Sequence, residues 1–145
     1  KGAKATFAKP QLKNTDTLFL QYTGGTTGVS KGATLSHRNL IANMLQITEW
    51  LGIKMKKDGS KEIIITALPL YHVYALTVNC LSMARIGAKN ILITNPRDMP
   101  AFLKELNKHP FTLITGVNTL FNGLLNQPAF STINFSSLNL CSGGG

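Results

Sequence analysis

The chain has 145 residues, the size of one folded domain, and 43% of them are hydrophobic, which excludes an intrinsically disordered protein. Lys and Arg outnumber Asp and Glu by 15 to 6, giving a net charge of +9. Such an excess favours anionic partners such as nucleotides, coenzymes, nucleic acid or an acidic membrane surface, with a merely solubilising basic surface as an equal alternative.

The two cysteines, Cys80 and Cys141, predict neither a metal site nor a disulfide framework, because both lie in apolar runs without CxxC spacing. An intracellular redox setting is therefore expected. No signal peptide is visible at the N-terminus. The longest apolar stretch, around 73–83, is interrupted by Asn79 and is too short to span a bilayer, so any membrane contact is expected to be peripheral.

The first residues are rich in lysine and lack apolar periodicity, which predicts an entering linker over 1–16 and a folded region over 17–145. The folded region opens with a short apolar run of strand type at 18–22. A segment rich in glycine and hydroxyl side chains, 23–32, follows directly.

Further along the chain, 33–35 can resume an extended conformation, and Ser36 is a predicted N-cap of a helix that ends before Gly52. Strands and helices then alternate, which predicts an α/β fold with a mostly parallel sheet flanked by helices. The predicted elements are a strand at 62–68, a helix at 73–85, a strand at 90–94, a helix at 99–108, a strand at 111–115, a helix at 118–125 and a strand at 138–142. The last residues, 141–145, form a turn signal directly after a strand, which we interpret as an internal end of a longer protein.

The segment 23–32 predicts a polyphosphate-binding loop. Its glycines permit backbone conformations that turn successive N–H groups toward one anion. Its hydroxyl groups add donors, and Lys31 adds a cation that can reach a phosphate. Neither the Walker nor the Rossmann glycine pattern fits the segment, which disfavours ordinary NTPases and dehydrogenases. The alternative is a plain glycine-rich hairpin.

The run 22–32, YTGGTTGVSKG, resembles the phosphate-binding signature of the adenylate-forming superfamily, which includes acyl-CoA synthetases, luciferases and peptide-synthetase adenylation domains. Gly24 stands where most members have Ser, and Ser30 where many have Pro. This version is similar to that of bacterial long-chain fatty-acid CoA ligases, and it implies an internal fragment of their large N-terminal domain. The residues that the resemblance assigns to ATP phosphates are Thr23, Gly24, Gly25, Thr26, Thr27, Gly28 and Lys31.

The segment 68–76, LPLYHVYAL, follows a predicted buried strand, and ligands of open α/β sheets bind at the carboxyl ends of strands. It resembles the second motif of the superfamily. The resemblance implies that His72 approaches the substrate carboxylate and the forming adenylate, and that Tyr71 lines the acyl pocket. Leu76 falls near the place where some relatives carry an aromatic gate. Taken alone, a histidine here is more often a core or capping residue.

Two segments at predicted strand ends, 116–121 and 142–145, resemble family segments that line the acyl and adenine pockets. On residue type alone, small residues at strand ends are usually turns. With Tyr71 and Leu76, the resemblance assigns this pocket to Asn118, Gly143, Gly144 and Gly145.

The resemblance implies a two-step reaction, in which a fatty carboxylate attacks ATP to give acyl-AMP and coenzyme A then displaces AMP. His72 and Lys31 are the implied catalytic residues. Mg²⁺ is expected to act through the phosphates near Thr23, since hard oxygen ligands are not evident among these residues. Several parts of the family pattern lie outside the chain, so we expect an enzyme in the parent protein and no ligase activity in this segment alone.

Alternatives from other classes stay open at this point. A non-catalytic nucleotide or polyanion-binding module would need only the phosphate loop and the basic charge, and an acyl-activating enzyme could take a different carboxylic acid. Nucleic-acid binding is disfavoured because the basic residues are scattered and no aromatic-basic RNA motif occurs. The expected location is cytoplasmic, with peripheral contact at the inner face of the membrane as an open question.

Overall fold

The computed structural model describes residues 6–23, 30–52 and 61–144. The chain divides into two compact units, 1–42 and 43–145.

The first unit contains two antiparallel strands, β1 (Thr17–Thr23) and β2 (Lys31–Ser36). The strand predicted at 18–22 is confirmed. The two strands flank the glycine-rich segment as the arms of a hairpin, and Thr23 pairs with Lys31 at the end of the ladder. The antiparallel pairing is the usual one for two strands that are close together in the sequence.

Helix α1 (His37–Trp50) follows β2 directly. The predicted N-cap is confirmed, because the Ser36 hydroxyl accepts the Asn39 N–H at 3.3 Å while Asn39 Oδ1 accepts the Ser36 N–H at 3.0 Å. This reciprocal arrangement satisfies two amide donors at the helix start. Gly52 follows the helix with φ of 62°, a left-handed conformation that favours glycine and ends the helix where predicted.

The second unit is built on a parallel sheet whose strand order is β4-β3-β5-β6. Its strands are β3 (Ile63–Thr66), β4 (Lys89–Leu92), β5 (Leu113–Gly116) and β6 (Leu140–Gly143). The predicted α/β class is confirmed, and each boundary lies within two residues of its prediction. The chain moves outward from β3 to β4 and then returns past β3 to β5. The strand order therefore reverses between β3 and β5, which is the switch point where open α/β sheets bind ligands.

The helix predicted at 73–85 has the predicted bounds, but its middle part is a π-helix and not an α-helix. It consists of α2 (Val73–Ala75), a π-helix (Leu76–Ser82) and α3 (Met83–Arg85), in direct succession. Within the π-helix the Ser82 hydroxyl donates to the Thr77 carbonyl at 2.7 Å. Apolar periodicity does not distinguish this wider turn from an α-helix, so the sequence predicted the helix without its type.

Two helices match their predictions at both ends, α4 (Met99–Lys108) and α5 (Asn118–Leu125). Asp98 caps α4, because its carboxylate accepts the Ala101 N–H at 3.1 Å. A short 3₁₀ helix (Pro128–Thr132) after α5 was not predicted. Among the described residues there is no helix with the length and apolar composition needed to cross a membrane.

The parallel sheet is covered on both faces, and the two coverings differ. One face, which we call the apolar face, carries Ile65, Ile91 and Ile114 and packs against the buried side chains of α4 and α5. The other, which we call the mixed face, carries Ile64 and Leu113 against Met83 of α3. The alternation of side chains along a strand puts the next residues, Thr66 and Thr115, on this same mixed face at the carboxyl ends. The other buried residues of the cluster on the apolar face are Ala67, Phe102, Leu103, Leu106, Phe111, Leu120, Leu124 and Ile133.

Candidate functional site

The candidate site lies along one edge of the parallel sheet, where all four strands end. The loop after β3 carries His72, the turn after β5 leads to Asn118, and β6 runs into Gly144. Since parallel strands point the same way, these three segments meet at the edge that open α/β sheets use for ligands.

His72 is held in place by its own backbone surroundings. Its N–H donates to the Pro69 carbonyl at 3.0 Å, and its carbonyl accepts the Leu76 N–H at 2.9 Å. Its ring caps α2, since Nδ1 accepts the Tyr74 N–H at 3.2 Å.

This cap fixes the tautomer of the His72 ring. An Nδ1 that accepts a hydrogen bond must present its lone pair, so the proton of the neutral imidazole lies on Nε2. The residue is exposed, and Nε2–H is the donor that the ring has left for a ligand. A fixed N–H donor of this kind suits an anionic oxygen such as a carboxylate or a phosphate. The structural role of a capping histidine and the predicted chemical role are therefore compatible, because they use opposite ring nitrogens.

Tyr74 connects the His72 segment to the far side of the sheet. Its hydroxyl lies 3.0 Å from Ser142 Oγ on β6. A Cβ on Gly144 would lie 4.0 Å from the Tyr74 ring, so the glycine backbone runs close to the aromatic side chain. The hydrogen bond joins the loop after β3 to the glycine segment at the end of β6, although the two are 68 residues apart.

A pocket of about 430 Å³ opens between the turn after β5 and the end of β6. It brings together three of the residues predicted for the acyl and adenine pocket, Asn118, Gly143 and Gly144, beside Val117 and Thr119. The backbone ladder continues beyond β6 here, since the Gly144 N–H donates to the Gly116 carbonyl at 3.2 Å.

Gly116 is required by close packing at this pocket. A Cβ at Gly116 would lie 2.9 Å from the Phe121 ring and 3.0 Å from Leu120 Cδ2. A larger side chain would have to displace the Phe121 ring or Leu120, so glycine at this position lets the start of α5, at Asn118, pack closely against the end of β5.

A second pocket, of about 350 Å³, lies at the ends of β3, β4 and β5. Most of its lining is apolar, and Arg97 is the charged residue among the described residues that line it. The lining residues are Ala67, Leu68, Pro69, Pro96, Arg97, Met99, Val117, Thr119 and Leu120. Such a lining suits an apolar group with an anionic end.

The other residues predicted for the acyl and adenine pocket are not among those that line either of these two pockets. Tyr71 is 83% exposed on the loop ahead of His72, outside both pockets. Leu76 is half-buried and begins the π-helix. Gly145 lies outside the described residues. The predicted roles of these three residues stay predictions.

Of the predicted phosphate-binding residues, the structure describes the two ends of the loop. Thr23 is the last residue of β1 and Lys31, which is exposed, is the first of β2, so the loop begins and ends at paired positions. The residues predicted between them, Gly24, Gly25, Thr26, Thr27 and Gly28, lie outside the described residues.

Three residues of the site were not singled out by the sequence, namely Tyr74, Ser142 and Asn79. Tyr74 and Ser142 stood inside recognised segments but carried no assigned role. Asn79 left a visible signal, because it interrupts the longest apolar run, and a polar residue at such a position needs buried partners. The structure supplies those partners in Thr66 and Thr115.

Neither a reactive cysteine nor a metal cluster is found among the described residues of the site. Burial raises the pKa of the Cys141 thiol above its ordinary value, so the thiol stays protonated at neutral pH and is a poor nucleophile. Within the described ranges, no group of three or more His, Cys, Asp or Glu side chains is arranged to hold a metal ion.

Comparison with known proteins assigns the chain to a protein family. The AMP-binding enzyme family matches residues 2–145. The chain belongs to this family. The superfamily resemblance drawn from the run 22–32 and from the segment around His72 is thereby confirmed.

Within this family, the chain is 56% identical over 144 residues to a long-chain-fatty-acid–CoA ligase of Escherichia coli O6:H1. The match covers 99% of this chain and 25% of that relative. The chain therefore spans about a quarter of the length of the curated relative that it matches.

Solved structures agree with the fold. The o-succinylbenzoate CoA synthetase of Bacillus subtilis, in complex with its acyl-adenylate intermediate, superimposes with a TM-score of 0.75 at 26% identity, covering 92% of this chain and 32% of that one. A fatty acyl-adenylate ligase from L. pneumophila, in complex with acyl adenylate and pyrophosphate, gives a TM-score of 0.82 over 96% of this chain and 25% of that one. At 23% identity the second likeness speaks for the fold alone.

Proposed function

We propose that this chain is the phosphate-loop and acyl-pocket region of a long-chain fatty acid CoA ligase that forms an acyl-adenylate from ATP. One observation carries the proposal. The Tyr74–Ser142 hydrogen bond of 3.0 Å holds the His72 segment beside the pocket of Asn118, Gly143 and Gly144. A donor for an anionic oxygen and a glycine-walled pocket thus share one sheet edge. The 56% identity to a long-chain-fatty-acid–CoA ligase supports the substrate class.

The proposed reaction has two steps. A carboxylate oxygen of the fatty acid bonds to the α-phosphorus of ATP as the bond to pyrophosphate breaks, which gives acyl-AMP. The sulfur of coenzyme A then bonds to the acyl carbon. The bond between that carbon and the phosphate oxygen breaks, AMP leaves with the electron pair of this bond, and the thiol proton passes to solvent. Both steps bring anionic groups together, so positioning and charge stabilisation supply most of the rate enhancement.

The residues of the chain divide this work. His72 Nε2–H would donate to an oxygen of the substrate carboxylate or of the forming adenylate. Lys31, with Thr23 and the loop that follows it, would hold the β- and γ-phosphates as pyrophosphate leaves. The apolar pocket of about 350 Å³ at the same edge of the parallel sheet suits part of a hydrocarbon chain.

Mg²⁺ is part of the proposal only through the nucleotide. Among the described residues there is no group of three or more His, Cys, Asp or Glu side chains that could hold the ion. The ion would reach the site bound to the phosphate oxygens of ATP.

The test is ATP–pyrophosphate exchange by the whole protein, with magnesium and a series of carboxylic acids from acetate to stearate plus o-succinylbenzoate. The proposal predicts exchange that depends on added acid and rises with chain length. Exchange that peaks with acetate or with the aryl acid would keep the adenylation chemistry and overturn the fatty-acid assignment. ATP binding without exchange for any acid would leave a nucleotide-binding module as the better account.

We also propose a cytoplasmic protein with peripheral membrane contact, because its substrate partitions into lipid and the chain carries a net charge of +9. Sedimentation with anionic and with neutral vesicles tests this contact. Binding to anionic vesicles that is lost at high salt is expected, and the absence of cosedimentation at low salt would contradict it.

A further inference from the structure

A buried amide lies beneath the candidate site. Asn79 of the π-helix is 0% exposed, and both polar atoms of its side chain are paired. Its Nδ2 donates to Thr66 Oγ1 and to Thr115 Oγ1 at 2.8 Å each, while its Oδ1 accepts the Thr115 hydroxyl at 3.1 Å. A fully paired buried amide holds one geometry, because any displacement leaves a polar group unpaired away from water.

The hydrogen bonds close into a cycle through the neighbouring strand. The Thr66 hydroxyl donates to Asn90 Oδ1 on β4, and Asn90 Nδ2 donates to the backbone carbonyl of Asn79 at 2.6 Å. Three strands and the π-helix are therefore joined by four side chains, which we call the amide network: Thr66, Asn79, Asn90 and Thr115. π-Helical turns in proteins occur frequently at functional sites.

The position of the amide network relates it to His72. Thr66 is the last residue of β3, and Thr115 is the last but one of β5. These are the two sides of the switch point. The loop from Thr66 leads to His72, and the helical run that starts after His72 leads to Asn79, so the Asn79–Thr66 bond closes a loop that contains the histidine. The Tyr74–Ser142 bond attaches the same run a second time.

We infer that Asn79 is a positioning residue, which acts through the amide network to fix the His72 ring over the switch point. The inference rests on the proposed function of His72. Displacing a reacting group by roughly 1 Å can lower a rate by about a hundredfold, so an attachment that sets the register of this helical run on the sheet would affect turnover. The amide network touches neither pocket, and its effect would pass entirely through the placement of His72.

The test removes one hydroxyl while keeping the shape of the side chain. Asn79→Ala would leave the Thr115 hydroxyl unpaired, take from Thr66 one of its two partners and open a cavity in the core, so it confounds placement with folding. Thr115→Val is nearly isosteric and removes only the group that pairs with the Asn79 amide. Thr115→Ser keeps that hydroxyl and is the matched control. Both variants are made in the whole protein and compared per folded molecule.

The kinetic measurement is ATP–pyrophosphate exchange in these variants, alone and combined with His72→Ala. We expect Thr115→Val to lower kcat about tenfold with little change in the KM for ATP, and Thr115→Ser to recover most of the rate. In the His72→Ala background Thr115→Val should cost almost nothing more, because coupled residues are not additive. An equal loss in both backgrounds, or a lower melting temperature with unchanged kcat, would overturn the inference.

A second measurement does not depend on activity. The nitrogen chemical shifts of the His72 ring, assigned by comparison with His72→Ala, report which nitrogen carries the proton. The wild type and Thr115→Ser should show one tautomer with the proton on Nε2, and Thr115→Val should show a mixture. If the wild type lacks acid-dependent exchange, the proposed function fails and these shifts still decide the inference. Identical ring shifts in Thr115→Val and the wild type would contradict it.

Discussion

The two faces of the parallel sheet use the same strands for different purposes. Along β3 and β5, Ile65 and Ile114 lie on the apolar face, in a cluster of buried hydrophobic side chains. Thr66 and Thr115 point to the mixed face, where they are as deeply buried, at 3% and 1% exposure, yet bind an amide. Burial alone therefore does not make a region a hydrophobic core. The apolar face supplies stability. On the mixed face, buried hydrogen bonds hold the π-helix in one position on the sheet below the candidate site.

The largest effect should follow from emptying the apolar face. Phe102 is 1% exposed in α4, and Phe102→Ala should lower the free energy of unfolding by about 3–5 kcal/mol through lost burial and a residual cavity. Chemical denaturation of the whole protein measures it, and Leu125→Ala is the control, since Leu125 is 71% exposed. Equal losses in the two variants would show that the apolar face is not the main source of stability.

The mixed face should respond to a change of polarity without a change of shape. Thr66→Val should cost on the order of 2–3 kcal/mol, because it leaves one Asn79 donor and the Asn90 acceptor unpaired in the interior. Ile64→Val, on the same face of the same strand, should cost only about 1 kcal/mol. The two denaturation midpoints give the comparison, and a milder effect for Thr66→Val would place both threonines among ordinary core residues.

The carboxyl end of the apolar face can be tested by adding a methyl group. Gly116→Ala should cost about 1–2 kcal/mol, because the new Cβ would lie 2.9 Å from the Phe121 ring, in a packed corner. Gly123→Ala in α5 is the control. There the Cβ would meet only the flexible end of Met99, at 3.0 Å, and alanine favours the helix. The melting temperatures of the two variants test this prediction. A higher melting temperature for Gly116→Ala than for Gly123→Ala would contradict it.

The smallest effect concerns the start of α4 on the apolar face. Asp98→Ala removes the carboxylate that accepts the Ala101 N–H and should cost about 1 kcal/mol. Asp98→Asn keeps an acceptor at the same place and should retain most of that stability. A melting temperature for Asp98→Asn as low as that for Asp98→Ala would mean that charge, and not the hydrogen bond, is what the helix start requires.

Local signals in the sequence were sufficient for much of the fold. Helices α4 and α5 were predicted to the residue, because each begins at a clear polar or extended start and ends at a polar turn. The strands were placed within two residues. The strand order, with β3 between β4 and β5, depends on pairings between distant segments, and no local pattern encodes it.

The candidate site was predictable in its parts and not in its connections. His72, Asn118, Gly143 and Gly144 were singled out by resemblance, and the structure places all four at one edge of the parallel sheet. The Tyr74–Ser142 bond joins residues 68 positions apart, and periodicity carries no information at that range. The polar interruption at Asn79 could be seen in the sequence, but its partners on β3, β4 and β5 could not.

The proposed role of His72 is to act on an anionic oxygen at the carboxyl edge of the parallel sheet. The decisive experiment is acid-dependent ATP–pyrophosphate exchange by the whole protein in two variants. His72→Ala should lower kcat on the order of a hundredfold to a thousandfold, as expected for the loss of one oriented donor. His109→Ala, at the far end of α4 beside Glu105, should leave it within about twofold. Equal activity of His72→Ala and the wild type would contradict the account.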